Sequence, residues 1–161
     1  MKTNKSSKFK SYLKLSKLRV IELLLVTTVP SMVISIYGMP PLSLVIYTLT
    51  GGTLLAISAN VMNQVFEVET DRLMERTSDR PIVTGELTKV NGTIYSITSG
   101  LIGFLILYFL ATPLSSFIGL AANIFYVFIY TLVLKPRTNQ NIVIGGASGA
   151  APVLILSLIH I

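Results

Sequence analysis

Three polar side chains at helical spacing offer a set of oxygen ligands. Asn63, Glu67 and Asp71 follow one another at intervals of four residues. Four residues advance an α-helix by about 400°, so these side chains lie along one face, roughly one turn apart. Asn60 falls on the same stripe, whereas Glu69 points to nearly the opposite side. Amide and carboxylate oxygens are hard ligands, which suit Mg²⁺ better than zinc or copper.

Three arginines follow this acidic stripe at the same interval, namely Arg72, Arg76 and Arg80. On a continuous helix they form a second stripe, displaced by one residue from the first. Guanidinium groups bind phosphate oxygens with two parallel hydrogen bonds, and Mg²⁺ is typically held by one or two carboxylates together with substrate phosphates. The two stripes therefore predict a metal-bridged diphosphate site. The alternative is a solvated loop with ion pairs inside the helix, which leaves two Asn residues in an apolar segment unexplained.

The elements that must position these residues are predicted to be membrane helices. Of the 161 residues, 52% are hydrophobic and only 12% are charged, against about 25% charged in soluble domains. No Asp, Glu, Lys or Arg occurs in residues 23–66 or 90–134. Because about 20 apolar residues of helix cross a bilayer core, we predict spans at 18–38, 42–66, 90–110 and 113–134, and a fifth from about residue 141. The predicted fold class is an all-α, polytopic transmembrane helix bundle.

The positive charges predict an orientation for this bundle. Seven Lys and Arg residues lie in the first 19 positions, four lie between 72 and 89, and Lys135 and Arg137 complete the thirteen. All of them fall on one predicted side, which should be the cytoplasm. Residues 1–17 are interpreted as a basic cytoplasmic tail that signals topology and attracts anionic lipid, with substrate capture as the alternative. Lys135 and Arg137 are either phosphate contacts or topology signals.

Several classes of site are excluded by composition. The chain has no Cys, which excludes disulfides and thiolate metal sites. Its one histidine, His160, cannot form a His-rich metal cage, and a Ser-His-Asp triad is not expected. Since the net charge of +6 lies in membrane-flanking segments, no nucleic acid is expected as a partner.

Residues 58–81 resemble the first acidic motif of the UbiA superfamily of membrane prenyltransferases. The core of the resemblance is Asn63-x-x-x-Glu67-x-x-x-Asp71, inside the longer string Ser-Ala-Asn-x-x-Asn-Gln-x-x-Glu-x-x-x-Asp-x-x-Met-x-Arg-Thr-x-x-Arg-Pro, with Thr-Gly at 84–85. Further similar segments extend the resemblance from residue 17 to about residue 155. Leu18 stands where the family usually has Pro, and many relatives have Asp at positions 67 and 69.

The resemblance implies a chemistry and a set of residue roles. It implies transfer of a farnesyl group from farnesyl diphosphate to a vinyl group of haem B, giving haem O, with haem B as a substrate rather than a cofactor. Asn63, Glu67 and Asp71 are implied to act in catalysis and to hold Mg²⁺ with the diphosphate. The implied substrate-binding residues are Asn60, Arg72, Arg76, Arg80, Lys135 and Arg137.

The resemblance also implies a setting in the bacterial plasma (inner) membrane. Besides lipid, the implied partners are haem A synthase or cytochrome oxidase assembly proteins. Two alternatives stay open: a prenyltransferase for a quinone or chlorophyll precursor, and a non-catalytic membrane assembly or transport module. The haems extracted after expression of the complete gene would distinguish these functions.

The family has about nine spans and a second acidic motif in its later half, so this chain would hold about five spans. Residues 18–155 are interpreted as the N-terminal part of the transmembrane prenyltransferase domain, which we expect to be inactive alone. Residues 156–161 read Leu-Ser-Leu-Ile-His-Ile. One coding of that string, CTG TCT CTT ATA CAC ATC, resembles a transposon end used to attach sequencing adapters. We therefore expect these six residues to be non-native.

Overall fold

The computed structural model describes residues 5–35, 37–135 and 137, which form helices joined by turns. The helices are α1 (Lys5–Ser16), α2 (Leu18–Ser35), α3 (Leu42–Phe66), α4 (Val68–Leu73), α5 (Lys89–Ala111) and α6 (Pro113–Leu134). The last parts of α5 and α6, Leu107–Ala111 and Phe125–Leu134, have π-helical geometry. No strand is present across these described ranges, and the all-α prediction is confirmed.

Three helices among the described residues, α3, α5 and α6, are long and apolar enough to cross a membrane. Their bounds agree within one residue with the spans predicted at 42–66, 90–110 and 113–134. Large apolar side chains on them are exposed, among them Ile94, Leu101 and Phe109, as is expected of helices that face lipid. The predicted span 18–38 corresponds to α2, whose membrane crossing stays a prediction. The predicted fifth span and the proposed non-native residues 156–161 lie outside the described residues.

The turns between the helices form at the residues that the sequence favours. Thr112 caps the start of α6, since its Oγ1 accepts a hydrogen bond from the Ser115 amide at 3.2 Å, and Pro113 occupies the first helical turn. Pro41 likewise precedes α3, after a turn in which Tyr37 has a φ of +49°. Both turns are short and uncharged, so each joins two apolar helices directly.

Small side chains let α3 and α5 approach each other closely. A Cβ added at Gly103 would lie 2.8 Å from the carbonyl oxygen of Gly51, and one at Gly100 would lie 2.7 Å from Ser58 Oγ. Ser96 Oγ donates a hydrogen bond to the Ser58 carbonyl at 2.8 Å. Small residues therefore allow close helix–helix packing where these two helices cross.

The central element of the bundle is α3, which contacts α1, α2, α5 and α6. Asn123 of α6 donates from Nδ2 to the Leu55 carbonyl of α3 at 2.9 Å. Phe104 of α5 meets Phe117 of α6 edge-to-face, with ring centroids 5.6 Å apart. The helix that carries the acidic stripe is thus held from several sides.

The segment predicted as a basic tail contains a packed helix. Leu15 of α1 is fully buried in a cluster with Val61, Ile82 and Leu87. The carbonyl of Leu15 is one of those left without a helical partner at the end of α1, and it accepts a hydrogen bond from Gln64 Nε2 at 2.7 Å. Residues 5–16 therefore belong to the folded bundle, and their cytoplasmic placement stays a prediction.

Candidate functional site

The acidic stripe lies where α3 gives way to α4. Glu67 is the single residue that separates the two helices. Its amide donates to the Asn63 carbonyl at 3.0 Å, and its carbonyl accepts from the Asp71 amide at 2.8 Å. These bonds keep the four-residue helical repeat across the junction. Asn63, Glu67 and Asp71 therefore share one face, and all three are buried, with 4%, 9% and 3% of their surface exposed.

Each of the two carboxylates is paired with a cation from outside α3 and α4. Lys135 Nζ, just after α6, lies 2.5 Å from Glu67 Oε1. The Arg80 guanidinium donates to the Asp71 carboxylate, and both of these side chains are largely buried. Because a buried charge without a partner is costly, the two pairs offset the cost of burying both carboxylates.

The amide of Asn63 is oriented by α6. Its Nδ2 donates to Thr131 Oγ1 at 3.0 Å, and that hydroxyl donates in turn to the Tyr126 carbonyl at 2.9 Å. Thr131 and Tyr126 are five residues apart in the π-helical part of α6, a geometry that is frequent at functional sites. With the amide nitrogen engaged by Thr131, the Asn63 oxygen is the atom of this side chain that could bind a cation.

Lys17 is a third cation near the two carboxylates. It is half-buried in the turn between α1 and α2, with a left-handed φ of +49°. Burial, and after it the positive charge of Arg80, lowers the pKa of Lys17 to about 8, although the charges of Asp71 and Glu67 act in the opposite direction. With Arg80 and Lys135, Lys17 gives the cluster one more positive than negative charge, which favours an anion.

The predicted arginine stripe does not form. Helix α4 ends at Leu73, so Arg72, Arg76 and Arg80 are not on one continuous helix, and this prediction is wrong. Arg72 is exposed and pairs with Glu69 at 3.2 Å, and Arg76 is also exposed. A turn-rich segment after α4 returns only Arg80 to the acidic stripe. The turn signal is present in the sequence, because Thr-Ser-Asp-Arg-Pro at 77–81 is rich in turn-forming residues.

Of the other residues singled out by the sequence, some lie in the cluster and others are exposed. Lys135 joins the cluster, whereas Arg137, two residues later, is exposed. Asn60 is half-buried one turn before the stripe, and its carbonyl accepts from Gln64 Nε2 at 3.1 Å. Glu69 points away, as its spacing predicts, and forms a second exposed pair with Lys89 at 3.3 Å.

Sequence reasoning missed two residues of this cluster, Lys17 and Thr131. Lys17 is one of seven closely spaced cations, and only the fold distinguishes it from the others. Thr131 lies in an apolar helix, where a threonine usually bonds to its own backbone. The only local hint is that Thr131 is the single hydroxyl-bearing residue between Tyr130 and Lys135.

The donor set suits a hard divalent cation held together with an anion. In the part of the chain that the structure describes, no three Asp, Glu, His or Cys side chains come together as a metal site. Two carboxylates and one amide oxygen leave the remaining positions of an octahedral ion to other ligands, such as phosphate oxygens or water. The three nearby cations could bind those same phosphates.

Comparisons with known proteins find relatives over most of the chain. The profile of the UbiA prenyltransferase family matches residues 24–159. The chain is 51% identical over 150 residues to the Protoheme IX farnesyltransferase of Paenarthrobacter aurescens, which covers 93% of this chain and 47% of that protein. It is 47% identical over 154 residues to Protoheme IX farnesyltransferase 1 of Saccharopolyspora erythraea, which covers 96% and 49%.

A third relative, the Protoheme IX farnesyltransferase of Streptomyces coelicolor, is 45% identical over 149 residues, covering 92% of this chain and 47% of that protein. The chain thus spans about half the length of the curated relatives that it matches. No solved structure shows a significant match.

Proposed function

We propose that this chain, which belongs to the UbiA prenyltransferase family, forms about half of an enzyme that makes haem O. The enzyme transfers a farnesyl group from farnesyl diphosphate to a vinyl group of haem B, with release of diphosphate and addition of water to the same group. The observation that carries the proposal is the 51% identity over 93% of the chain to a protein named Protoheme IX farnesyltransferase. The buried carboxylates and cations at the junction of α3 and α4 supply the chemistry that a diphosphate substrate requires.

In this proposal Asn63, Glu67 and Asp71 hold Mg²⁺ together with the diphosphate. The ion, when bound, supplies positive charge that stabilises the departing diphosphate. Lys135 and Arg80, which neutralise the carboxylates in the described state, then donate to phosphate oxygens. The same two cations thus pair with the buried carboxylates before substrate binds and stabilise the leaving group afterwards.

Burial of the carboxylates would also assist the proposed reaction. Asp71 and Glu67 are at most 9% exposed, so charge–charge interactions here are stronger than they would be in water. The adjoining spans α3, α5 and α6 are apolar, which suits a farnesyl chain. A carbocation forming at that boundary would be shielded from premature capture by water.

The setting proposed for the enzyme is the bacterial plasma membrane, with the cluster on the cytoplasmic side. This proposal rests on the thirteen Lys and Arg residues, all predicted to lie on one side of the spans. Farnesyl diphosphate is an amphiphile whose charged head stays in the interface while its tail enters the bilayer. A site at the end of α3 therefore meets both parts of the molecule.

The experiment expresses the full-length protein that carries this half and identifies the haems extracted from the cells. Haem O should accumulate with the wild type. With Asp71→Asn, turnover should fall by about 100-fold or more, because a buried ligand for the metal–diphosphate loses its charge. Glu69→Gln is the matched control, since Glu69 is an exposed carboxylate on the same short helix, and it should retain activity.

Three results would contradict the proposal. A prenylated quinone precursor in place of haem O would indicate another acceptor, and the absence of any prenylated product would favour a non-catalytic membrane module. Equal activity of Asp71→Asn and wild type would remove Asp71 from the site. Residues 1–161 alone should make no haem O, because they span about half of the relatives' length.

A further inference from the structure

Helix α1 lies against the segment that delivers Arg80 to the acidic stripe. That segment, residues 74–88, is called the site loop here. Leu15 of α1 shares one buried cluster with Ile82 and Leu87 of the site loop. Pro81, next to Arg80 in the chain, is also fully buried. The helix and the site loop are therefore parts of a single packed unit.

Two polar contacts from α1 bracket Arg80 in the site loop. Lys14 Nζ lies 2.9 Å from Asp79 Oδ2 and donates to the Asp79 carbonyl at 2.7 Å. Ser11 Oγ donates to Glu86 Oε2 at 2.5 Å. Asp79 immediately precedes Arg80, so the bond to its carbonyl restrains the peptide group that joins the two residues. The hydrogen bond from Lys14 also holds the pKa of Asp79 below its ordinary value of 3.8.

The site loop itself is folded as successive turns around Arg80. The Arg80 amide donates to the Thr77 carbonyl at 3.1 Å, and the Thr84 amide donates to the Arg80 carbonyl at 2.9 Å. The Thr77 hydroxyl donates to the Asp71 carbonyl at 2.9 Å. One side of the Arg80 backbone is thus tied to α4, and α1 adds the polar contacts at Asp79 and Glu86.

We propose that α1 is a positioning element for the proposed reaction, in which Lys14, through Asp79, holds Arg80 where it can exchange the Asp71 carboxylate for a substrate phosphate. The inference rests on the proposed function, because the exchange requires a diphosphate. It assigns a positioning role to a segment whose charge alone indicates topology, with substrate capture as the alternative. The Arg80 guanidinium has to release Asp71 and bind a phosphate while its backbone stays in position. If the loop were held only from the side of α4, the guanidinium would be positioned less accurately.

The test compares Lys14→Ala with Lys10→Ala in the full-length protein in detergent. Lys10 is exposed on the same helix, so it matches Lys14 in charge and helical context. The first measurement is the Kd for inorganic diphosphate with Mg²⁺ by titration calorimetry. The second is the KM and kcat for farnesyl diphosphate. Lys14→Ala should raise both the Kd and the KM by about 1.5- to 5-fold, the range for an exposed ion pair, with kcat retained.

Rescue separates positioning from general stability. Lys14→Arg should restore the Kd, because arginine keeps both the charge and a donor for the Asp79 carbonyl. The exchange Lys14→Asp with Asp79→Lys should restore it only in part, because a carboxylate cannot donate to that carbonyl. The melting temperature of Lys14→Ala should lie no more than a few degrees below that of Lys10→Ala, because the pair is largely exposed and contributes little to stability. Equal Kd values for the two alanine variants would overturn the inference, as would a fall in kcat alone.

The Kd does not depend on the acceptor, so the two proposals fail in different ways. A wild-type protein that binds diphosphate but makes no haem O refutes the proposed function and leaves the positioning role to be decided by the variants. A wild-type protein that does not bind diphosphate refutes both proposals.

Discussion

Replacement of Gly103 by Ala is expected to force α3 and α5 apart. The added Cβ would lie 2.8 Å from the Gly51 carbonyl oxygen and 3.0 Å from the Leu55 amide nitrogen. These are backbone atoms of α3, so no side-chain rotation relieves the clash. Gly52→Ala is the matched control, because a Cβ there meets no heavy atom of the described residues within 4 Å.

The expected magnitude follows from two opposing effects. Ala is favoured over Gly inside a helix by about 1 kcal/mol, and this gain is common to both variants. Over-packing a well-packed contact costs about 1–3 kcal/mol. The difference between the variants removes the shared gain, so the free energy of unfolding should be about 1–3 kcal/mol lower for Gly103→Ala than for Gly52→Ala. Gly51→Ala should be intermediate, because its closest clash, at 2.6 Å, is with the Leu107 side chain.

The assay is unfolding of the full-length variants in mixed micelles of increasing SDS content, followed by loss of helical circular dichroism. The expected order of stability is Gly52→Ala, then Gly51→Ala, then Gly103→Ala. Because α3 carries the acidic stripe, Gly103→Ala should also weaken the binding of Mg²⁺ and diphosphate. Equal stability of Gly103→Ala and Gly52→Ala would refute the close approach of the two helices.

Four further outcomes are expected from the same structure. Thr131→Val should lower the free energy of unfolding by about 1 kcal/mol, the net worth of its hydrogen bond to Asn63, and should weaken Mg²⁺ binding. An unchanged Mg²⁺ affinity in calorimetry would contradict the role of Thr131 in orienting the Asn63 amide. Between pH 8 and 10.5 Lys17 is neutral when folded and protonated when unfolded. Over this range the free energy of unfolding should therefore rise with pH, while the affinity for diphosphate falls. Lys17→Arg should remove both trends. If the pH profiles of the Lys17→Arg variant matched those of the wild type, Lys17 would be excluded as their cause. Gly85→Ala should cost about 1 kcal/mol in thermal unfolding, because Gly85 has a φ of +79°, and a stabilised variant would contradict that backbone conformation. A tag at Met1 should resist a periplasmic protease in intact cells, and ready cleavage would invert the predicted orientation.

The sequence by itself determined the membrane helices and the acidic face. The bounds of α3 and α6 are those of two predicted spans, because the length of a charge-free segment is set by the thickness of a bilayer. Thr112 and Pro113 are local signals for the start of a helix and act as such in the structure. Asn63, Glu67 and Asp71 share a face because four-residue spacing survives the break at Glu67.

Only the tertiary structure decided which cations accompany the two carboxylates. Arg80 reaches Asp71 while Arg72, which is next to Asp71 in the sequence, turns outward. Lys135 reaches Glu67 across 68 positions of sequence. Helical periodicity is a local property, so it predicts which side chains share a face. The partner of that face depends on how the site loop folds back, and on which side of α6 packs against α3.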